Sequence, residues 1–359
     1  MNSSSLSSSL SSSFFRFLIL SLFALTLSGC FETKTEEKKP DLTIFGHNSF
    51  VGKGGLGPEI VSLFEKKCQC MLKMIPVGDA GQIISRLELD ARRGKSEGQV
   101  AVGFDPYTFE RAKAFADPWT NWTPARFDKI PSDLKLSSGF LPYDFGLMTF
   151  IADTTQIKGK KIVAPKHLTD LLHPEWKRSL LLEDPRTSTP GLLFLIYTHA
   201  VLGEKAWKFW DEMRFQWKTL APGWSGAYQL FMKGEAPMVW SYFTSQAYHR
   251  AHGAGTRYEG LVFEDGHPIQ IEGAVLIKNG FESQEQKLLA MSFLEFLISP
   301  EVQALVPRKN WMMPVIPDTQ LPTDFQSLPQ VKNRLQLVAT QQQIQDLLAK
   351  WNRVVSGVK

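Results

Sequence analysis

The sequence predicts an α/β protein of two lobes, each with a mixed, mainly parallel sheet flanked by helices. Its 359 residues are more than one hydrophobic core usually serves. Short apolar strands alternate with helices, which is typical of parallel sheets that are covered on both faces. Two long apolar runs, 145–151 and 269–277, are suited to cross between the lobes. They are therefore expected to bracket an inserted lobe.

The N-terminal residues 1–29 are predicted to be a lipoprotein signal peptide. A Ser-rich leader precedes a mostly apolar stretch, 17–27, that is too short to span a bilayer. Leu27-Ser28-Gly29-Cys30 resembles a lipobox, in which Cys30 becomes the lipidated first residue; a plain secretory signal is the alternative. Residues 30–41 are expected to form a solvated tether. The sequence thus predicts an exported protein in the periplasm or cell envelope, anchored to a membrane through Cys30.

The folded part is divided into a first lobe, 42–143 plus 270–315, and a second lobe, 144–269. In the first lobe, strands are expected at 42–45, 70–77 and 100–104, a glycine-rich loop at 46–57, and helices after Pro58 and at 81–93. The second lobe is expected to contain strands 179–183 and 238–242 and helices at 191–201, 205–213, 227–231 and through Ala247. Helices are also expected at 284–298 and 341–354. Residues 316–359 form a C-terminal helical segment that the sequence assigns to neither lobe.

Composition and motifs exclude several classes of protein. The net charge is only +4 and no long Lys/Arg block is present, which excludes a nucleic-acid partner. Gly223-Trp224-Ser225-Gly226-Ala227 departs from a G-x-S-x-G nucleophile elbow, since Ala227 stands at the last position and the second Gly comes one place early. The seven His residues show no metal-binding spacing. We therefore predict no enzyme activity, no cofactor and no metal site.

Cysteine usage leaves two states open once Cys30 is assigned to the lipid anchor. Cys68 and Cys70 are the remaining cysteines, and export permits either a disulfide or two buried thiols. The pair lacks the four ligands of a structural zinc site.

A hydroxyl-rich segment, Asp184 to Gly191, directly precedes an apolar helix. Hydroxyls and free backbone N–H groups at a helix start suit a phosphate, a carboxylate or an alcohol. The alternative is an ordinary helix cap with Pro190 in the first turn.

Aromatic and acidic residues gather at predicted strand ends and helix starts, where open α/β sheets place ligands. The aromatic members are Trp224, Tyr228, Tyr242, Tyr248 and Trp311, and the acidic ones are Asp79 and Asp105. Each aromatic residue alone is more typical of a core position than of a binding site, and each Asp alone is as typical of an ordinary turn as of a binding site. A carboxylate beside aromatic faces is a common way to hold an organic cation.

At these residues the chain resembles the thiamine-binding proteins of bacterial ABC importers. The resemblance runs from about Leu42 to Trp351 and is carried by five motifs in order: 184–191; Gly223-Trp224-Ser225 with Ala227-Tyr228; Lys233-Gly234-Glu235; Ser241-Tyr242 with Ala247-Tyr248-His249; and Asn310-Trp311-Met312 with Pro314-Val315. It implies a type II periplasmic solute-binding fold, with the ligand in a cleft between two lobes. It also implies a monomer that binds thiamine or its phosphates and delivers them to an inner-membrane permease.

The resemblance implies a role for each predicted contact. Asp79 would contact the aminopyrimidine, and Tyr248 and Trp311 would flank the rings with Tyr242 nearby. Ser188, Trp224 and the N–H groups around Ser225 would face the hydroxyethyl or phosphate end. His47 and Gly54 replace the Tyr and Trp of related chains, so His47 is expected to hydrogen-bond the ligand whereas Gly54 cannot stack on it.

Two alternatives stay open at this point. A ferric-ion or other small-ligand carrier of the same fold is one, although Tyr242-Phe243 lacks the adjacent Tyr pair of many iron carriers. A thiamine-degrading enzyme is the other, with Cys68 or Cys70 as its only available nucleophile.

Overall fold

The structure, a computed structural model, describes residues 41–135, 138–158 and 164–357. The predicted signal peptide, the lipidation site Cys30 and the tether as far as residue 40 lie outside these ranges. Among the described residues, no single helix is long and apolar enough to cross a bilayer; one bent pair, Gln284–Leu297 with Pro300–Asn310, passes that test only when both are taken together.

The N-terminal part alternates strands and helices as predicted. Its elements are β1 (Asp41–His47), α1 (Asn48–Val51), α2 (Gly57–Cys68), β2 (Met71–Gly78), α3 (Ala80–Arg92), β3 (Val100–Phe104) and α4 (Pro106–Ala112). The short helix α1 lies within the predicted glycine-rich loop. A disulfide joins Cys68 and Cys70 where α2 ends, which decides between the two states that the sequence left open.

The middle of the chain begins and ends with the two predicted crossing strands. Its elements are β4 (Leu141–Asp153), α5 (Thr154–Ile157), β5 (Leu180–Glu183), α6 (Thr189–Leu202), α7 (Ala206–Met213), β6 (Trp217–Ala221), α8 (Trp224–Met232), β7 (Met238–Tyr242), α9 (Thr244–Ala251), β8 (Tyr258–Gly260) and β9 (His267–Leu276). The sequence pattern did not predict β6 or β8.

The C-terminal part consists of helices and two short strands, which pair with β4 and β9. Its elements are α10 (Gln284–Leu297), α11 (Pro300–Leu305), a π-helical turn (Val306–Asn310), β10 (Met313–Pro314), α12 (Thr323–Gln326), β11 (Arg334–Leu335) and α13 (Gln341–Ser356). Helix α13 packs against α7, α4 and α6. Its Trp351 is fully buried and meets Trp210 of α7 edge to face, with ring centroids 5.9 Å apart.

The strands form one mixed sheet in the order β2-β1-β3-β9-β4-β7-β5-β6. The crossing strands β4 and β9 pair with each other antiparallel at its centre. Parallel pairs lie on both sides, β2-β1-β3 on one and β7-β5-β6 on the other. This arrangement is the mixed α/β fold that the sequence predicts. The exact lobe boundaries at 143/144 and 269/270 stay a prediction.

The central strands carry three polar residues, Asp144, Glu272 and Tyr242. Asp144 of β4 lies opposite Glu272 of β9, and Tyr242 of β7 lies opposite Met148 of β4. Helix α6 is apolar on all sides and is buried over most of its length, as expected for a central helix. The indole N–H of Trp240 in β7 donates to the carbonyl oxygen of Pro190 at 3.1 Å, which fixes the start of α6 against the sheet.

Candidate functional site

A cavity of about 500 Å³ brings together six of the eight predicted ligand contacts. A volume of this size suits a small organic ligand. The lining includes His47, Asp79, Trp224, Tyr242, Tyr248 and Trp311. Ser188 and Ser225 are not among the lining residues, although each directly adjoins one of them, Thr189 and Trp224 respectively.

Aromatic side chains form two groups around the cavity. Trp224 stacks on Tyr228, with ring centroids 4.7 Å apart and the planes 25° apart, and Tyr242 lies 6.2 Å from Trp224. In the second group, Tyr248 meets Trp311 edge to face at 5.1 Å. The two groups offer both faces and edges to a flat ligand.

Trp311 owes its position to an unusual backbone conformation. It ends the π-helical turn with a φ of 55°, in the left-handed region that residues other than Gly rarely adopt. Its ring also stacks against Phe325, with centroids 6.3 Å apart. Residues in such conformations persist only where the surrounding structure holds them in place, and they are commonest at functional sites.

Glu272 lies at the centre of a hydrogen-bonded cluster that the sequence analysis did not predict. Its carboxylate accepts a hydrogen bond from the hydroxyl of Tyr143 at 3.1 Å and another from that of Tyr242 at 3.3 Å. The Nε2 atom of His47 lies 3.5 Å from the same carboxylate. All four side chains are buried, and His47, Tyr242 and Glu272 line the cavity. The sequence carried one signal for Glu272, namely a single carboxylate within a mostly apolar strand.

The charges of this cluster depend on one another. Burial raises the pKa of Glu272, but His47 and the two Tyr hydroxyls together lower it by more than burial raises it, so the net shift is downward. Burial lowers the pKa of His47, but the attraction of Glu272 and Asp79 outweighs that effect and raises it overall. Both shifts favour the ion pair of a carboxylate and an imidazolium.

Asp144 adds a second buried carboxyl next to Glu272. The side-chain amide of Asn310 donates to its Oδ2 atom at 2.5 Å. Burial, and then repulsion by Glu272, raise the pKa of Asp144 well above its usual range. The Asp144 carboxyl thereby fixes Asn310, the residue before Trp311.

Asp79 stands at the start of α3 and faces the start of another helix. Its Oδ2 atom accepts the backbone N–H of Trp224, the first residue of α8, at 3.2 Å. A Cβ atom at Gly223 would clash with this carboxylate, so the close approach requires Gly there. Burial raises the pKa of Asp79, whereas His47 and the Trp224 N–H lower it to a smaller extent. The N-terminus of α8 is thus already occupied by a protein carboxylate.

The hydroxyl-rich segment 184–191 has mostly structural partners. Asp184 pairs with Arg186 at 2.5 Å, and the hydroxyl of Thr187 donates to the carbonyl oxygen of Pro222 at 2.7 Å. Ser188 precedes α6 as its N-cap residue but forms no side-chain capping bond. The Ser188 side chain is buried and acts on Asp79, whose pKa it lowers. Among the hydroxyl-bearing residues of this segment, Thr189 is the one that lines the cavity.

Several lining residues were missed by sequence reasoning, since nothing in their local pattern marks them. They include Met232, Thr244, Ser245, His252, Arg308 and Lys309. Lys309 is paired with Glu59 at 2.6 Å. Within the described parts of the chain, no group of three or more His, Cys, Asp or Glu residues is placed to hold a metal ion. Neither Cys68 nor Cys70 lines the cavity, and both sulfurs are held in the disulfide.

The family model for bacterial extracellular solute-binding proteins matches residues 104–336. The chain belongs to this family. The thiamine-binding periplasmic protein of Salmonella typhimurium is 34% identical to it over 323 residues, which cover 89% of this chain and 94% of that relative. The protein of the same name from Escherichia coli is 32% identical over 320 residues, again covering 89% and 94%.

Solved structures agree with this assignment. A periplasmic thiamin binding protein superposes with a TM-score of 0.77 at 30% identity, covering 88% of this chain and 96% of that chain. A ferric binding protein from Campylobacter jejuni superposes with a TM-score of 0.69 at 19% identity, covering 88% and 99%, which shows the fold alone. This solute-binding protein is therefore periplasmic and, like its relatives, is not an enzyme.

Proposed function

We propose that this solute-binding protein captures thiamine, or a phosphate ester of thiamine, and delivers it to an inner-membrane ABC permease. The observation that carries the proposal is a single cavity in which two carboxylates, Asp79 and Glu272, stand beside two groups of aromatic rings. A thiazolium ring is a flat cation, so it gains from both the carboxylates and the aromatic faces. The names of the relatives support the same ligand.

The arrangement of the cavity suggests an orientation for the ligand. Tyr248 and Trp311 would flank the rings, Tyr242 would lie nearby, and Asp79 would bind the aminopyrimidine through the oxygen that does not receive the Trp224 N–H. We place the hydroxyethyl or phosphate end near Ser188, which directly precedes the lining residue Thr189. The N–H of Trp224 is taken by Asp79, so Trp224 would contribute its ring, and Ser225 would act at most as a secondary contact.

Capture would follow from closure of the two predicted lobes around the ligand. Several hydrogen bonds link the first predicted lobe to the second, among them the Tyr242–Glu272 and Asn310–Asp144 bonds described above. Two others lie at helix starts: the Trp224–Asp79 bond, and the bond from the N–H of Gly81 to the carbonyl oxygen of Thr187 at 3.1 Å. Both are next to the cavity, where they would break on opening.

We further propose that Cys30 carries a lipid that holds the protein at a membrane. The lipobox-like sequence 27–30 and the polar residues that follow it support this proposal. A Cys30→Ala variant, expressed in the native envelope, is expected to move from the membrane fraction to the soluble fraction. Equal membrane association of both proteins would contradict the anchor.

Identification of the ligand tests the proposal most broadly. Protein purified gently, then denatured, is expected to release thiamine or a thiamine phosphate, in a ratio to protein approaching one, as measured by mass spectrometry. The mass would also distinguish the phosphorylation states. Release of a different molecule, or of bound iron, would overturn the proposal in favour of another cargo of the same fold.

A further inference from the structure

The His47 side chain is enclosed between the cavity and the Glu272 cluster. Its Nδ1 atom lies 2.8 Å from the hydroxyl of Ser49, and its Nε2 atom lies 3.4 Å from the hydroxyl of Tyr143 and 3.5 Å from Glu272. A Cβ atom at Gly103 would clash with the imidazole ring. The ring is therefore fixed, and its Nε2 atom faces a carboxylate that also borders the cavity.

Two charged side chains act on His47, and both are carboxylates. Glu272 approaches from β9, and Asp79 approaches from the start of α3. The hydroxyl of Tyr143 in β4 faces the Nε2 atom of His47. Glu272 in turn accepts a hydrogen bond from Tyr242 of β7 and is repelled by the carboxyl of Asp144 in β4. The two basic residues that line the cavity are placed elsewhere: Lys309 is paired with Glu59, and Arg308 is exposed.

Building on the proposed function, we propose that His47 carries a proton as the counter-ion of Glu272 in the empty cavity, and that the cationic ring of the ligand replaces it and expels that proton. The proton leaves the imidazolium for solvent, and the ligand's fixed positive charge then takes the place of the imidazolium beside Glu272. The neutral imidazole keeps one N–H donor and one acceptor, so it still hydrogen-bonds within the cluster. Ligand binding thereby becomes an exchange of one cation for another.

The physical reason is that the imidazolium and the cationic ring of the ligand would both lie beside the carboxylate of Glu272, which borders the cavity. An imidazolium and a thiazolium within a few ångströms repel each other, and burial strengthens that repulsion. Release of the proton removes the repulsion while leaving Asp79 and Glu272 charged. The affinity for a cationic ligand should accordingly rise with pH, by at most about tenfold per pH unit, until His47 is neutral in the empty protein.

Proton release can be measured by calorimetric titration of the intact mature protein with thiamine in several buffers that differ in heat of ionisation. At neutral pH the wild type is expected to release a measurable fraction of one proton per ligand bound. The His47→Gln variant should lose that release and most of the pH dependence. Any release that remains in this variant reports the ligand's own titrating pyrimidine and serves as the baseline.

His252→Gln is the matched control, because His252 also lines the cavity but lies beside Tyr248 and Trp311 rather than Glu272. This variant is expected to release as much proton as the wild type. Loss of release in His252→Gln, or equal release by wild type and His47→Gln, would overturn the exchange. Absence of thiamine binding at every pH would instead count against the proposed function.

A measurement on the ligand-free protein separates the two outcomes further. The imidazole signals of His47, assigned by their absence in His47→Gln, can be followed by NMR as the pH is changed. We expect His47 to stay protonated to higher pH than an unperturbed histidine, and to lose this difference in a Glu272→Gln variant. Titration at or below the ordinary histidine value would overturn the proposal whether or not thiamine binds.

Discussion

Asp79 and Asp105 have the same place in the sequence pattern and opposite roles in the structure. Each directly follows a strand, β2 or β3, and each precedes a helix at the same edge of the sheet. Asp105 caps its own helix, since its Oδ1 atom accepts the N–H of Thr108 at 2.6 Å, and it is fully buried. Asp79 accepts the N–H of Trp224 and lines the cavity. The partner of a carboxylate, rather than its place after a strand, decides whether it serves the fold or the ligand.

The largest expected difference between the two positions is in affinity. Asp79→Asn keeps an oxygen for the Trp224 N–H but removes the charge, so thiamine binding is expected to weaken about 100-fold, or ~3 kcal/mol. Asp105→Asn should leave the affinity unchanged, because Asp105 does not line the cavity. Calorimetric titration of both variants checks this pair. Equal losses in both would show that the distinction between them is wrong.

The second prediction concerns Asp105 and the pH dependence of stability. Burial raises the pKa of Asp105 to about 6 from its ordinary value of 3.8. The folded state therefore binds this proton more tightly than the unfolded state, so stability present at acid pH is lost as pH rises from about 4 through about 6. Asp105→Asn retains a capping side chain and removes that loss, which amounts to at most about 3 kcal/mol above pH 7.

Urea unfolding of wild type and Asp105→Asn at several pH values measures this effect. The variant is expected to be the more stable protein above pH 7, with the difference disappearing near pH 4. A difference that stays constant with pH would mean that the Asp105 carboxyl does not titrate in this range.

The contact between Asp79 and α8 can be broken without changing either residue. A Cβ at Gly223 would clash with the Asp79 carboxylate, so Gly223→Ala is expected to displace it and to weaken thiamine binding about tenfold. Gly226→Ala in the same helix is the control, because its Cβ would meet only the Ala221 Cβ at 3.8 Å, an ordinary contact. If both variants bind like wild type, the Asp79–Trp224 contact plays no part in binding.

The smallest expected effect concerns the two helix starts near the cavity. Ser188→Ala removes a buried hydroxyl that adjoins the lining residue Thr189, and it is expected to weaken binding a few-fold, about 1 kcal/mol. Ser225→Ala should have less effect, since the adjacent N–H at the start of α8 is taken by Asp79. Affinities for thiamine and its monophosphate would show which helix start faces the tail, and a larger loss at Ser225 would reverse the orientation proposed above.

Much of the fold follows from local sequence, because strands and helices here have clear apolar patterns. The strands Val100–Phe104 and Met238–Tyr242 have the predicted bounds. Strand β6 (Trp217–Ala221) was missed because it is mostly half-buried and carries Lys218 and Thr219 in place of an apolar run. Helix α1 is a single turn without a helical period.

The site was predictable only where a residue's type alone indicated its role. The aromatic rings and Asp79 were predicted, and they do meet at one cavity. The partners of His47 were not, because Tyr143 and Glu272 lie far from it in sequence. The pairings of β1 with β3, β3 with β9 and β9 with β4 bring the three residues together. Likewise, no local pattern distinguishes Asp79 from Asp105, since their difference depends on a helix start at Trp224.

The central claim is that this cavity binds thiamine between aromatic rings and carboxylates. The most direct test is calorimetric titration of ligand-stripped protein with thiamine, wild type beside Trp311→Ala, at one pH. We predict one thiamine per wild-type chain and at least a tenfold weaker affinity in the variant, because aromatic anchors carry much of the binding energy of a small ligand. Equal affinity in the two proteins, or no binding by the wild type, would contradict the claim.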